Sequence, residues 1–139
     1  MPEKYYVDTL IWRDYYENRR DRFRPLGEWA FEFFKKAICE ESLIFCSDFI
    51  ERELLKDYDE EKVKDMLSII ERIHLLRRVE VRAEQFNEAA GLCKERRIPF
   101  GDALHAIVAR DVGATVITRD HHFEELQDIA LSKKPEDLL

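Results

Sequence analysis

Short apolar runs alternate with longer amphipathic ones along this chain, and that alternation restricts the fold more than any other feature. Residues 5–7 (YYV), 43–46 (LIFC) and 115–118 (TVIT) read as short buried strands. Residues 75–81 read as a fourth short strand or an irregular crossing, and residues 130–132 as an edge strand before Pro135. Between them apolar positions recur at helical spacing: Trp29, Phe33, Phe34 and Ala37 within 26–40, Val63, Leu67, Ile70 and Ile73 within 60–73, and Phe86, Ala89, Ala90 and Cys93 within 82–96. Ile98-Pro99-Phe100-Gly101 interrupts the pattern, and a last helix is expected from Asp102 to Val112, closed by Gly113. Strands separated by helices imply crossovers and a parallel sheet covered on both faces, an α/β fold. The 139 residues fit a single domain, which at that length buries roughly 70% of its unfolded surface.

The totals narrow the function classes. A formal charge of -7 argues against a simple basic nucleic-acid binder, although acids gathered in a metal site count toward that total and leave room for local basic patches. Cys39, Cys46 and Cys93 form neither an even disulfide set nor a CxxC pair, so reduced core thiols are expected. The opening MPEKYYVDTLIW lacks the basic and long apolar regions of a secretory signal, and no run approaches the roughly 20 apolar residues a membrane span needs. A soluble, cytoplasmic protein without membrane contact is the expectation.

Four acids stand where a parallel sheet places functional groups. Asp8 directly follows YYV, and Asp120 follows TVIT after one arginine, so both fall at carboxyl ends of expected strands, the edge where α/β sheets bind ligands. Each also suits a helix N-cap, and both readings stay open. In SDFIEREL, Asp48 and Glu51 have the spacing of an N-cap and its third helical partner, which leaves Glu53 facing either the sheet edge or water. Asp102 opens GDALHAIVARDVG, where the helix dipole favours an acid. Ala103, Leu104, Ile107 and Val108 form one apolar side there, and Asp102, His105 and Ala109 lie along another. If Asp8, Glu53, Asp102 and Asp120 meet at one edge, their repulsion raises their pKa values and asks for a cation. Oxygen-rich sites of that kind suit Mg²⁺ or Mn²⁺, whose natural substrate is a phosphate ester.

At this point the sequence resembles the PIN domain, and within it the VapC-like toxins of prokaryotic type II toxin-antitoxin pairs. YVDTLIW resembles the family's first motif, SDFIEREL the second, IPFGDALHAIVARDVGATVITRDHHF the third and fourth, and ALSKKPEDLL the closing strand and tail. The resemblance implies a three-layer α/β/α sandwich with a central parallel sheet of four to five short strands. Residue by residue, it places Asp8, Glu53, Asp102 and Asp120 on the family's acidic set, which binds one or two Mg²⁺ or Mn²⁺ ions. Thr9 falls on the hydroxyl after the first acid, and Thr118 on the hydroxyl two positions before the fourth. His122 stands where the family often has an acid or Asn, and is read as a solvated loop residue, a phosphate or water contact, or a metal ligand. His105 often accompanies the motif without an assigned chemistry.

The implied activity is a metal-dependent endoribonuclease in which the metal activates a water, with RNA as substrate, an antitoxin whose helix lies in a groove, and a homodimer as partners. The alternative is a catalytically silent PIN-fold module that binds metal or RNA. For RNA binding, Arg13, Arg19, Arg20, Arg22 and Arg24 are interleaved with Tyr15, Tyr16 and Phe23, which suits stacked single strands. Asp14, Glu17 and Asp21 are interspersed, so an ordinary solvated helix and loop is the other reading.

Overall fold

Every strand of the sheet runs the same way, so every connection must cross back along one of its faces. The computed structural model describes residues 2–139. Its elements are β1 (Lys4–Val7), α1 (Thr9–Glu17), α2 (Leu26–Cys39), β2 (Leu43–Ser47), α3 (Asp48–Leu54), α4 (Glu60–Arg72), β3 (Leu76–Val79), α5 (Ala83–Arg96), α6 (Phe100–Val112), β4 (Thr115–Ile117) and β5 (Ser132–Lys133). Short 3-10 helices at His121–Leu126 and Pro135–Leu138 follow β4 and β5.

Strand order is β3-β2-β1-β4-β5. The chain steps outward from β1 to β3, returns across the sheet, and steps outward again from β4 to β5. Crossovers of one hand then place α1, α2 and α4 on one face and α5 and α6 on the other. Adjacent residues of β1 mark the two faces, because side chains alternate along a strand. Tyr5 meets Phe33 of α2 edge-on at 5.2 Å, whereas Tyr6 points the other way and bonds His105 of α6. The fold is the expected three-layer α/β/α sandwich, with five parallel strands.

On the first face Trp12, Phe33 and Phe34 stack into a continuous aromatic core, with ring centroids 4.8 and 5.3 Å apart. On the second, α6 is buried all round from Ala103 to Ala109, His105 included. No helix among the described residues is long and apolar enough to cross a membrane.

Three local expectations are corrected. Helix α6 starts at Phe100 rather than Asp102, with Pro99 as its N-cap at φ -59. The expected break is the helix entry: Phe100 packs on Phe86 and Phe49 and pulls Gly101 and Asp102 into the first turn. Helix α3 is capped by Ser47, whose Oγ accepts from the Ile50 N–H at 3.1 Å, not by Asp48. Asp48 instead accepts from the Val81 N–H at 3.0 Å, and Glu51 pairs with Arg78, so both acids hold β3 beside the helix. The edge strand lies at Ser132–Lys133, because Val116 pairs with Ser132.

Gly27 in α2 faces the backbone of Asn18, the left-handed cap of α1, closely enough that a β-carbon would overlap it. Since backbone cannot yield as a side-chain tip does, Gly27→Ala is expected to cost about 1–3 kcal/mol of unfolding free energy in urea titrations, with the slope of the transition unchanged.

Candidate metal centre

Strand β1 ends between β2 and β4, where the chain's direction across the sheet reverses, and such switch points open a crevice at the strands' carboxyl ends. Asp8 leaves β1 at that point with its N–H still on the ladder, donating to the Ile117 carbonyl at 3.0 Å. Its Oδ1 accepts from the Thr9 N–H at 2.8 Å and caps α1. Its Oδ2 accepts from the Thr118 hydroxyl at 2.8 Å. Asp120 likewise caps the 3-10 helix, its Oδ1 accepting from the His122 N–H at 2.9 Å. Both acids are therefore caps and also line the crevice.

The four acids are gathered in a ring whose members touch through shared partners, except that Glu53 approaches Asp102 only by way of Gly101. Thr9 touches Asp8 through its N–H and donates its hydroxyl to Glu53 Oε1 at 2.6 Å. Glu53 Oε2 lies 3.6 Å from the point where a side chain on Gly101 would begin, beside Asp102. His122 Nδ1 lies 2.8 Å from Asp120 Oδ1 and 3.3 Å from Asp102 Oδ2. Thr118 closes the ring, its hydroxyl on Asp8 and its oxygen accepting from the Asp120 N–H at 3.1 Å. Asp120 Oδ1 and the Nδ1 atoms of His121 and His122 also fall within 4.8 Å of one another. His121 is 79% exposed, its ring 4.2 Å from that of His122.

The charges in this ring are not mutually neutralised. Burial, then the charges of Asp120 and Asp8, push Asp102 up to about 7. Burial also pushes Asp8 above its ordinary value, partly offset by nearby His105 and the Thr118 hydrogen bond. Burial acts on Asp120 in the same direction, but the hydrogen bond from the His122 N–H and the neighbouring Asp102 and His122 side chains hold it below the ordinary carboxylate range. Glu53 is held low too, its burial outweighed by hydrogen bonds from His105 and Thr9. Asp102 Oδ2 is buried without a hydrogen-bond partner. An orphaned carboxylate oxygen amid like charges fits an oxygen-seeking cation, and the donor set of four carboxylates matches Mg²⁺ or Mn²⁺.

Other expectations fall elsewhere. Arg13 pairs with Asp57 at 3.3 Å, Arg19 with Glu17 at 3.2 Å, and Arg24 with Asp21, while Arg20 and Arg22 lie exposed in the loop after α1. None of the five contacts an acid of the ring. Tyr15 packs on Phe34, Tyr16 on Tyr58, and Phe23 is 95% exposed. Of the cysteines only Cys46 is a core thiol, pushed up to about 12 by burial, while Cys39 is exposed.

Sequence reasoning gave His105 no chemistry, yet it is 1% exposed and bonded through both ring nitrogens, to Tyr6 Oη at 2.6 Å and Glu53 Oε1 at 2.7 Å. The available signal was its place one turn after Asp102, which carries it under the same sheet edge. Arg119 was also passed over. Its guanidinium is buried against the Trp29 ring and bonds Glu136 at 2.7 Å, with Asp14 at 3.6 Å.

The same fold recurs in solved structures. VapBC2 from Rickettsia felis bound to a DNA fragment from its promoter contains a chain with TM-score 0.68 and 16% identity, covering 94% of this chain and 98% of that one. FitAcB from Neisseria gonorrhoeae gives TM-score 0.61 and 19% identity over 95% and 98%. A toxin-antitoxin complex from Klebsiella pneumoniae gives 0.59 and 16% over 94% and 96%. A comparison with curated protein sequences finds no match. The sequence model of the PIN domain matches residues 5–129, so a switch point lined with acids comes with the family's own pattern across nearly the whole length, and the chain belongs to the PIN domain family.

Proposed function

We propose that this chain is a metal-dependent endoribonuclease, the VapC-like toxin of a type II toxin-antitoxin pair. The observation that carries the reading is the orphaned Asp102 Oδ2, buried in a ring that also holds Asp8, Glu53 and Asp120. Asp8, Asp102 and Asp120 would hold one or two Mg²⁺ or Mn²⁺ ions, with Glu53 completing the site. The ion, when bound, supplies Lewis acidity that lowers the pKa of a water and offsets charge on the scissile phosphate.

The chain's residues prepare that site. Thr118 and the Thr9 N–H fix both oxygens of Asp8, and Thr9 and His105 fix Oε1 of Glu53. Asp102 carries a proton up to about neutral pH, and a cation replaces that proton. His122, one-third exposed, lies between Asp102 and Asp120, where it can donate to a phosphate once an ion has taken over the carboxylates.

One of the three similar structures is a toxin-antitoxin complex and another is VapBC2 bound to a promoter fragment, which supports an antitoxin partner. A groove of about 200 Å³ between α1, α2 and α4 suits a partner's apolar helix; Trp12, Phe34, Ile38 and Ile70 line it, and Phe31 and Ile69 are about half exposed at its rim. A homodimer and a cytoplasmic site of action complete the proposal. A second reading, a silent module that binds metal or RNA without cleavage, draws on His122, whose ring nitrogen bonds Asp120 at 2.8 Å and lies 3.3 Å from Asp102 without a hydrogen bond to it.

Purified protein incubated with a mixed RNA pool and Mn²⁺ or Mg²⁺ is expected to cleave. Asp8→Asn keeps the α1 cap and is expected to reduce the rate about 100-fold or more, and chelation to abolish it. Metal-dependent cleavage undiminished in the variant would refute the assignment, and metal binding without cleavage would favour the silent module.

Linkage gives a second outcome. The folded Asp102 keeps its proton to about 7, whereas the unfolded one loses it near pH 4, so between those values the native state binds more protons. Stability of the chelated protein is therefore expected to fall as pH rises through that window, in urea titrations at stepped pH. Asp102→Asn is expected to flatten the slope.

A further inference from the structure

The structure carries a string of buried hydrogen bonds that ends on Glu53, and only its last link, from His105, enters the site just described. Ser47 Oγ lies 2.7 Å from Tyr6 Oη, Tyr6 Oη 2.6 Å from His105 Nδ1, and His105 Nε2 2.7 Å from Glu53 Oε1. Ser47 and Tyr6 are 0% exposed and His105 is 1% exposed. The string runs from the end of β2 to the neighbouring strand β1, crosses to α6 on one face of the sheet, and then reaches α3. An ionised carboxylate can only accept, so the imidazole nitrogen facing Glu53 carries a proton.

We propose that His105 is a positioning residue for Glu53, held in place by Tyr6 and Ser47, and that it determines which carboxylate oxygen is offered to the metal. This rests on the metal-dependent reading of the site. Glu53 has a long side chain on a seven-residue helix, so without anchors its carboxylate would sample several rotamers. Both anchoring bonds, from His105 and from Thr9, fall on Oε1. Oε2 receives no hydrogen bond from the described residues and lies over Gly101 beside Asp102. Oε1 is thus committed to the protein and Oε2 is left without a protein donor at the start of α6. Outer partners that orient a metal's ligands commonly carry about 10–100-fold in affinity.

The string also gives β1 and β2 a direct influence on the site through residues that touch neither metal nor RNA. Tyr6 is the link, since its hydroxyl fixes the ring plane of His105 from the side opposite Glu53. An imidazole bonded at one nitrogen can swing about its χ2 axis, and one bonded at both cannot. Phe49, whose ring lies 5.2 Å from that of His105, packs on the remaining side.

The test uses Mn²⁺ binding to chelator-stripped protein by isothermal titration calorimetry, with RNA cleavage measured separately. His105→Asn withdraws the donor from Glu53, and His105→Gln reaches about as far as Nε2 and retains one. The expectation is that His105→Asn weakens Mn²⁺ binding about tenfold and lowers kcat with little change in KM for RNA, while His105→Gln stays within about threefold of wild type. Tyr6→Phe, which keeps the core filled, is expected to fall between them. Folded His105→Asn binding Mn²⁺ as wild type does would overturn the proposal, as would equal losses in His105→Asn and His105→Gln, which mark a structural role only. In the metal-free protein, the His105 Nε2–H proton is expected as a slowly exchanging downfield NMR resonance that disappears in Glu53→Ala. Its absence from wild type overturns the string itself, whatever the metal results. Failure of wild type to bind Mn²⁺ with the resonance present refutes the metal reading and removes the metal-orienting role with it.

Discussion

Asp8 is a carboxylate taken almost wholly out of water at the centre of the sheet, and the surrounding structure is arranged to make that tolerable. A buried carboxylate costs several kcal/mol unless its oxygens are paired. Here one oxygen receives the first N–H of α1 and the other the hydroxyl of Thr118 beyond β4. The same residue's N–H closes the ladder to β4. One side chain and one backbone group therefore fix the end of β1, the start of α1 and the exit of β4 relative to one another. The crevice at the switch point has its shape because those three pieces cannot move independently.

Capping and ligation draw on different lone pairs, so one carboxylate has room for both. A cap spends one lone pair of one oxygen on an N–H, and a carboxylate has about four. Asp8 and Asp120 each cap a helix and still face the crevice, so the capping role that the sequence offers for each does not take it away from the sheet edge. Asp102 differs: it sits inside the first turn of α6, below a proline cap, and its Oδ2 finds no donor. The unmet demand of the ring is concentrated at that one oxygen, and burial with the charges of Asp120 and Asp8 pushes Asp102 up to about 7.

The strand ends were legible because a strand's apolar run stops where its side chains leave the core, and Asp8 and Asp120 lie just there. The alternation of runs likewise gave the parallel sheet. Helix starts were less legible where tertiary contacts outweigh local signals. Pro99 and Gly101 look like a break, but aromatic packing of Phe100 against Phe49 and Phe86 draws them into α6. Ser47 caps α3 because its hydroxyl also meets Tyr6, a partner 41 positions away that no local spacing encodes. His105 was opaque for the same reason, since both its bonds reach distant elements. The arginines after Asp8 have partners that their clustering does not announce. Their clustering suggested a surface for RNA, yet Arg13, Arg19 and Arg24 each have a carboxylate partner, one of them, Asp57, in the loop after α3.

Three consecutive residues after β4 show how the fold places Asp120 without spending it. Side chains that leave an extended segment alternate in direction, and here the alternation sorts polar groups by task. Thr118 turns to Asp8, Arg119 turns into the layer of α1 and α2, and Asp120 turns back to the crevice. Arg119 is 13% exposed, its guanidinium over Trp29 at 5.4 Å and its charge between Asp14 and Glu136. Burial pushes Asp14 upward even so, which shows how dry that layer is. A cation so deeply held cannot follow a phosphate, so its contribution is to anchor the backbone between the two groups that face the site. Asp120 then owes its position to Arg119 on one side and to its own capping bond on the other. Its free oxygen is left for chemistry because neither restraint uses it.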